Sequence, residues 1–126
     1  MLIRTITTTA VLAVLALPAL AEGDPEAGEK VFNKCKACHA LGADAKNKVG
    51  PVLNGIIGAP AGQVPDFKYS DVLLEMAADG LVWDEANLAA YLTKPRDFMK
   101  GTKMSFAGLR KEADVQNVLA YIASYE

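Results

Sequence analysis

The stretch Cys35-Lys36-Ala37-Cys38-His39 decides the fold of this 126-residue chain. Two cysteines three positions apart lie on one face of a helical turn, so both thiols can add to the two vinyl groups of a single porphyrin. The imidazole of the next residue then points toward the iron. C-x-x-C-H is the pattern of c-type haem attachment, and His39 is the only histidine that could serve as the proximal ligand.

Three other uses of such a cysteine pair have to be weighed. A disulfide oxidoreductase has the same spacing, but within a strand–helix–strand pattern that this sequence does not show. A zinc site would have two cysteines and one histidine and would still need a fourth ligand. A structural disulfide would account for the cysteines but not for the adjacent histidine. Haem attachment accounts for all three residues.

Length and composition exclude several classes of protein. A chain of 126 residues suits one domain, and its net charge of −2 argues against a nucleic-acid partner. A single histidine excludes bis-histidine zinc sites, facial-triad irons and bis-histidine haem within one chain. Two cysteines are too few for a disulfide scaffold.

The N-terminal residues 1–21, MLIRTITTTAVLAVLALPALA, have the layout of a secretory signal peptide. Arg4 supplies the positive charge, an apolar run follows, and Ala19-Leu20-Ala21 forms a small-x-small cleavage site. The apolar run is roughly half the ~20 residues that a membrane-spanning helix needs. We therefore expect cleavage after residue 21, a single domain over residues 22–126 and a location in the periplasm.

The rest of the chain is predicted to form short helices between long loops. Asp24, Ser70 and Asp84 are placed to cap three helices. Residues 111–124 are the clearest helix, because their apolar side chains recur at spacings of three and four. Residues 42–62 carry glycines and prolines among short apolar runs, which predicts a loop. The expected fold class is all-α, with four to five short helices around a large apolar group.

A second axial ligand for the iron would be a methionine sulfur, unless that site is open. Met76 lies on a helix face, where methionine usually fills the core, and Met99 follows Phe98 in a turn. Met104 lies in a loop two residues before the apolar Phe106, where it could close a haem crevice. Ligation by histidine and methionine stabilises ferrous iron and raises the reduction potential.

Further characteristic residues and short motifs follow along the chain in a specific order. They are Gly28…Phe32, Cys35-x-x-Cys38-His39, Gly50-Pro51-x-Leu53-x-Gly55, Trp83, Tyr91-Leu92, Pro95 and Gly101-Thr102-Lys103-Met104-x-Phe106-Ala107-Gly108. With them the sequence, from about Gly28 to Ile122, resembles the class I c-type cytochromes, in the branch of bacterial cytochrome c2 and mitochondrial cytochrome c. The resemblance implies the cytochrome c fold wrapped around one covalently bound haem.

The same resemblance implies roles for the matching residues. Cys35 and Cys38 would carry the two thioethers of one haem c, and His39 and Met104 would ligate its iron. The carbonyl of Pro51 would accept a hydrogen bond from the ring of His39.

Four aromatic side chains would complete the haem pocket in a protein of this family. Tyr69 and Trp83 would hydrogen-bond a haem propionate, Tyr91 would lie near the methionine sulfur, and Phe106 would pack at the haem edge. The resemblance also implies that the first and last helices cross; the residues at that crossing would be Gly28, Phe32, Val118 and Tyr121.

The sequence departs from the family pattern at two informative positions. Ala59 stands where an arginine usually reaches the inner propionate, so we expect weaker neutralisation of that propionate. Lys100 stands where a proline commonly precedes Gly101, so we expect a looser methionine loop. No role is carried over for residues 71–81, where this chain is longer than the mitochondrial proteins.

Basic residues flank the haem-binding segments, while most acidic residues lie elsewhere in the sequence. We expect a basic ring around the exposed haem edge that steers fast, weak encounters with redox partners. The ring would include Lys34, Lys36, Lys48, Arg96 and Lys103.

The function predicted from these observations is a monomeric, periplasmic, monohaem electron carrier that is not an enzyme. Its partners would be a cytochrome bc1 complex, a terminal oxidase, a photosynthetic reaction centre or a periplasmic dehydrogenase, and it would meet membranes only through them. The alternatives are a haem-based ligand-binding or sensor protein with an open distal site, and a thiol oxidoreductase.

Overall fold

The computed structural model describes residues 9–13 and 23–126. Most of the predicted signal peptide, residues 1–21, lies outside the described residues, and its cleavage stays a prediction. Within the described part of the chain, no helix is both long enough and apolar enough to cross a membrane.

Five α-helices make up the regular structure of residues 23–126. They are α1 (Pro25–Phe32), α2 (Asp71–Ala78), α3 (Glu85–Thr93), α4 (Pro95–Phe98) and α5 (Glu112–Ala123). Strand-like pairing in this region amounts to an isolated antiparallel bridge between Pro60 and Val82. The predicted all-α fold class with four to five short helices is therefore confirmed.

Side-chain caps start three of the helices where the sequence places them. The Asp24 carboxylate accepts the N–H of Glu26 at 3.0 Å, which starts α1. Ser70 caps α2 and Asp84 caps α3, each through a hydrogen bond from a backbone N–H three residues on. Each cap satisfies a backbone donor that the helix itself leaves unpaired. The four-residue α4 is too short for its apolar pattern to show in the sequence.

The first and last helices cross at close range. A Cβ atom at Gly28 would lie 1.9 Å from the carbonyl oxygen of Asn117, so only glycine lets the two backbones approach this closely. Beside this contact the rings of Phe32 and Tyr121 pack with their centroids 5.4 Å apart. Val118, also on α5, is almost fully buried. The predicted crossing is thus confirmed.

Backbone hydrogen bonds join the loop after residue 50 to the rest of the fold. The N–H of Gly58 donates to the carbonyl of Trp83 at 2.8 Å, and the N–H of Trp83 donates to Ala59 at 2.8 Å. The Gly55 N–H donates to the carbonyl of Tyr125 near the C-terminus, at 2.8 Å. These bonds fix a loop that has little regular structure, and they place Trp83 in the core.

We expect Gly28→Ala to lower the free energy of unfolding by about 2–3 kcal/mol, because the added methyl group forces α1 and α5 apart. Chemical denaturation of the purified protein measures this. Glu29→Ala, on the exposed side of the same helix turn, should change stability by no more than about 0.5 kcal/mol. Equal effects of the two substitutions would contradict the role given to the crossing.

Candidate functional site

The C-x-x-C-H motif continues directly from α1 as a helical turn. The Cys35 N–H donates to the carbonyl of Phe32 at 2.8 Å, and the His39 N–H donates to the carbonyl of Cys35 at 2.9 Å. Cys35 and Cys38 are free thiols, both partly buried. Burial raises the pKa of the Cys35 thiol, with the neighbouring Cys38 as a smaller cause. The turn therefore presents two unpaired thiols and an imidazole within five residues.

The ring of His39 is held with one nitrogen bonded and the other free. Its Nδ1 lies 2.7 Å from the carbonyl oxygen of Pro51. A carbonyl oxygen can only accept, so Nδ1 carries the proton and Nε2 keeps its lone pair. Burial lowers the pKa of His39, which favours the neutral imidazole that binds metals.

The free nitrogen of His39 remains accessible. Among the described residues Nε2 has no hydrogen-bond partner, yet no buried side-chain nitrogen or oxygen lacks one. Nε2 therefore faces accessible space and is not enclosed by protein. Two free thiols beside an accessible, unprotonated imidazole nitrogen are the donor set that covalent haem attachment requires.

The loop over residues 48–51 holds the motif at further points. The Gly50 N–H donates to the carbonyl of Cys38 at 2.8 Å, and Lys48 Nζ donates to the carbonyl of Lys36 at 2.7 Å. The backbone of Gly50 lies against the imidazole, and a Cβ there would come within 2.4 Å of Cε1 of His39. The loop thus fixes both the position and the plane of the ring.

A zinc centre does not fit these surroundings. Within residues 9–13 and 23–126, no group of three or more His, Cys, Asp or Glu side chains could hold a metal ion. The motif therefore offers no fourth protein ligand for a tetrahedral ion.

The three candidate methionines have different surroundings. Met99 is 1% exposed and is a member of the hydrophobic core. Met76 packs against that core from α2, and Met104 is partly buried in the loop between α4 and α5. Met99 and Met104 both lie outside the helices, but Met99 has the environment of a packing residue, whereas Met104 is only partly buried.

Hydrogen bonds order the loop that carries Met104. The hydroxyls of Tyr91 and Thr102 are 2.5 Å apart, and the N–H of Met104 donates to Thr102 Oγ1 at 3.2 Å. The Thr102 N–H donates to the carbonyl of Met99 at 3.1 Å, which closes the turn around Lys100. None of these bonds involves the side chain at position 100, and the expectation of a looser loop stays a prediction.

The predicted pocket aromatics have different packing partners. Trp83 stacks on Tyr91 with ring centroids 5.2 Å apart, and Phe106 packs against the same core. Tyr69 packs edge-on to Phe67, and its hydroxyl accepts the N–H of Val64 at 2.9 Å. That bond leaves the hydroxyl hydrogen of Tyr69 available to another acceptor. The indole N–H of Trp83 has no hydrogen-bond partner in the described region.

A cavity of 580 Å³ opens beside Tyr69. Ala59, Asn47 and Gln63 contribute to its walls, whereas His39 and Met104 do not. The short side chain of Ala59 is therefore part of the wall of this cavity.

Sequence reasoning missed three polar residues that connect loop segments. Thr102 joins Tyr91 to the backbone of Met104. Asn47 and Asn54 each bridge two loop segments through both ends of the side-chain amide. Thr102 belongs to a motif that the sequence shows, but no local pattern marks the two asparagines.

Comparison with known proteins gives one consistent set of relatives. The family model described as Cytochrome c matches residues 25–126. Cytochrome c2 of Rhodoblastus acidophilus is 50% identical over 104 residues, covering 82% of this chain and 94% of the relative. Cytochrome c-550 of Ancylobacter novellus is 50% identical over 101 residues, covering 80% and 94%.

Two solved structures have a similar fold. Cytochrome c2 from Rhodospirillum centenum superposes with a TM-score of 0.78 at 42% identity, covering 82% of this chain and 99% of that one. Cytochrome cH from Methylobacterium extorquens gives a TM-score of 0.73 at 42% identity, covering 81% and 99%.

Replacing Thr102 tests the ordering of the methionine loop. Thr102→Val keeps the shape but removes the oxygen that accepts from Met104, so hydrogen exchange of the Met104 amide should accelerate about tenfold or more. Thr102→Ser retains the hydroxyl and should exchange nearly as slowly as the parent protein. Exchange of this amide is followed by NMR, and equal rates in the two variants would contradict the assigned hydrogen bond.

Proposed function

The chain belongs to the cytochrome c family, and from this premise we propose that it is a periplasmic carrier of single electrons with one haem c. Members of the family carry covalently bound haem c and exchange electrons with redox proteins. The observation that carries the proposal is the state of His39, whose Nδ1 is bonded to Pro51 while Nε2 is free and accessible.

In the proposed site, Cys35 and Cys38 would hold the haem through thioethers, and His39 and Met104 would supply the ligands to its iron. A haem bound there supplies a one-electron couple between ferrous and ferric iron. Pro51 holds the imidazole in the tautomer that presents Nε2. Tyr91 and Thr102 order the loop that positions the Met104 sulfur.

The aromatic residues are proposed to exclude water and to hold the haem edge. Trp83, stacked on Tyr91, has an indole N–H without an acceptor among residues 9–13 and 23–126, which suits a propionate oxygen. Tyr69 retains a hydroxyl hydrogen for the same purpose. Phe106, in the same loop as Met104, packs against the core. Enclosure in this way keeps the surroundings of the haem nearly unchanged between the two oxidation states.

We propose that the protein is not an enzyme and acts as a monomer. With both His39 and Met104 bound to it, the iron would have no place for a substrate. The signal-peptide layout of residues 1–21 supports export to the periplasm. Partners there would be a cytochrome bc1 complex, a terminal oxidase, a reaction centre or a periplasmic dehydrogenase.

Docking is proposed to use the basic ring. Its members Lys34, Lys36, Lys48, Arg96 and Lys103 are all exposed. Lys36 and Lys48 lie at the haem-attachment turn itself, since the Lys48 ammonium donates to the carbonyl of Lys36. Cations at that place can steer an acidic partner site toward the haem even though the net charge of the chain is −2.

Carbon monoxide binding to the reduced protein tests the axial ligands. We expect Met104→Ala to bind the gas, because the variant opens the sixth position, while Met99→Ala and Met76→Ala should bind none. The absorption spectrum of the reduced haem reports binding. Gas binding by Met99→Ala but not by Met104→Ala would contradict the ligand assignment, and gas binding by the parent protein would support the sensor alternative.

The salt dependence of electron transfer tests the docking ring. With purified cytochrome bc1 complex, the second-order rate should fall steeply as salt rises, because exposed charges are screened within about 10 Å at 0.1 M. Lys36→Glu and Lys103→Glu should slow the reaction at low salt, and Glu29→Lys should have little effect. A rate that stays flat or rises with salt would refute steering by a basic ring, and stopped-flow kinetics decides between these outcomes.

A further inference from the structure

The peptide group between Pro51 and Val52 is hydrogen-bonded at both ends. Its carbonyl, on Pro51, accepts from Nδ1 of His39 at 2.7 Å. Its N–H, on Val52, donates to Oδ1 of Asn47 at 2.9 Å. The same planar amide thus links the histidine ring to a side chain in the loop before it.

The side chain of Asn47 extends this link to another loop. Its Nδ2 donates to the carbonyl of Pro65 at 2.9 Å, 18 residues along the chain. The three hydrogen bonds therefore form one chain in which every donor points the same way. The ring of His39 donates to the Pro51–Val52 amide, that amide donates to Asn47, and Asn47 donates to Pro65. Hydrogen bonds aligned in this way polarise one another, by about 10–30% per bond.

We propose that Asn47 is a positioning residue that acts on the iron ligand through the Pro51–Val52 peptide. By accepting the Val52 N–H, Asn47 makes the Pro51 carbonyl a stronger acceptor for the ring N–H of His39. The imidazole then donates more electron density through Nε2, which favours ferric over ferrous iron. This inference rests on the proposed function, in which His39 ligates a haem iron.

Asn54 provides a matched control for the alternative that Asn47 only ties loops together. Its Oδ1 accepts the Gly42 N–H at 3.0 Å, and its Nδ2 donates to the Gly42 carbonyl at 2.8 Å. It therefore makes the same number of amide hydrogen bonds between loop segments, but none of them involves the Pro51–Val52 peptide. Loss of either asparagine should loosen the loops, and only loss of Asn47 should reach the histidine.

The test compares Asn47→Leu with Asn54→Leu as haem-loaded proteins. Both should lower the denaturant midpoint. Asn47→Leu should also raise the ratio of ferrous to ferric protein about threefold at a fixed ambient potential. This corresponds to a rise of about 28 mV in the reduction potential, at about 59 mV per tenfold change in the ratio. In the reduced protein the Nδ1 proton of His39 should exchange faster. Asn54→Leu should leave both the potential and this proton unchanged.

An Asn47→Leu protein with the parent potential would overturn the proposal, as would an equal shift in Asn54→Leu. If Asn47→Leu fails to fold, Asn47→Asp decides. The carboxylate is a stronger acceptor for the Val52 N–H, so the potential should fall further than in the charge-matched Asn54→Asp, and equal potentials in these two would overturn the idea. Failure of the proposed function is a different result, because the parent protein would then show no low-spin, histidine-ligated haem.

Discussion

The hydrogen bond between the ring of His39 and the carbonyl of Pro51 sets the chemistry of the site. It determines which imidazole nitrogen carries the proton, and so it leaves Nε2 as the atom that can bind a metal. The geometry of this bond depends on a loop without regular structure. That loop keeps its place through backbone bonds to the Cys38 carbonyl and through the close approach of Gly50 to the ring. The helices serve mainly to bring these loops together, with the α1–α5 crossing as their anchor.

The sequence predicts those parts of the fold that depend on neighbouring residues. A cap such as Asp24 bonds a backbone N–H two residues away, and a motif such as Cys35–His39 has its chemistry in its spacing. The apolar stripe of α5 likewise repeats within one helix. Each of these features can be read from a short window of sequence.

The parts that the sequence does not reveal are bonds between distant segments. Asn47 reaches a carbonyl 18 residues away, and the Tyr91 hydroxyl meets Thr102 across 11 residues. An asparagine in a loop has many possible partners, and only the folded chain selects one. The short α4 escapes prediction for another reason, since four residues are fewer than two helical turns and give no periodic signal.

The two departures from the family pattern are accommodated in the same way, because main-chain bonds shape the segments concerned. At Ala59, the carbonyl accepts the Trp83 N–H and the N–H donates to Ile56, so an arginine side chain is not needed to place Trp83. At Lys100, the turn closes through the Thr102 N–H and through Gly101, whose φ of 87° suits glycine. A change at either side chain therefore alters charge near the site and leaves the backbone path intact. Positions of this kind let a carrier adjust its potential and its docking charge without rebuilding the fold.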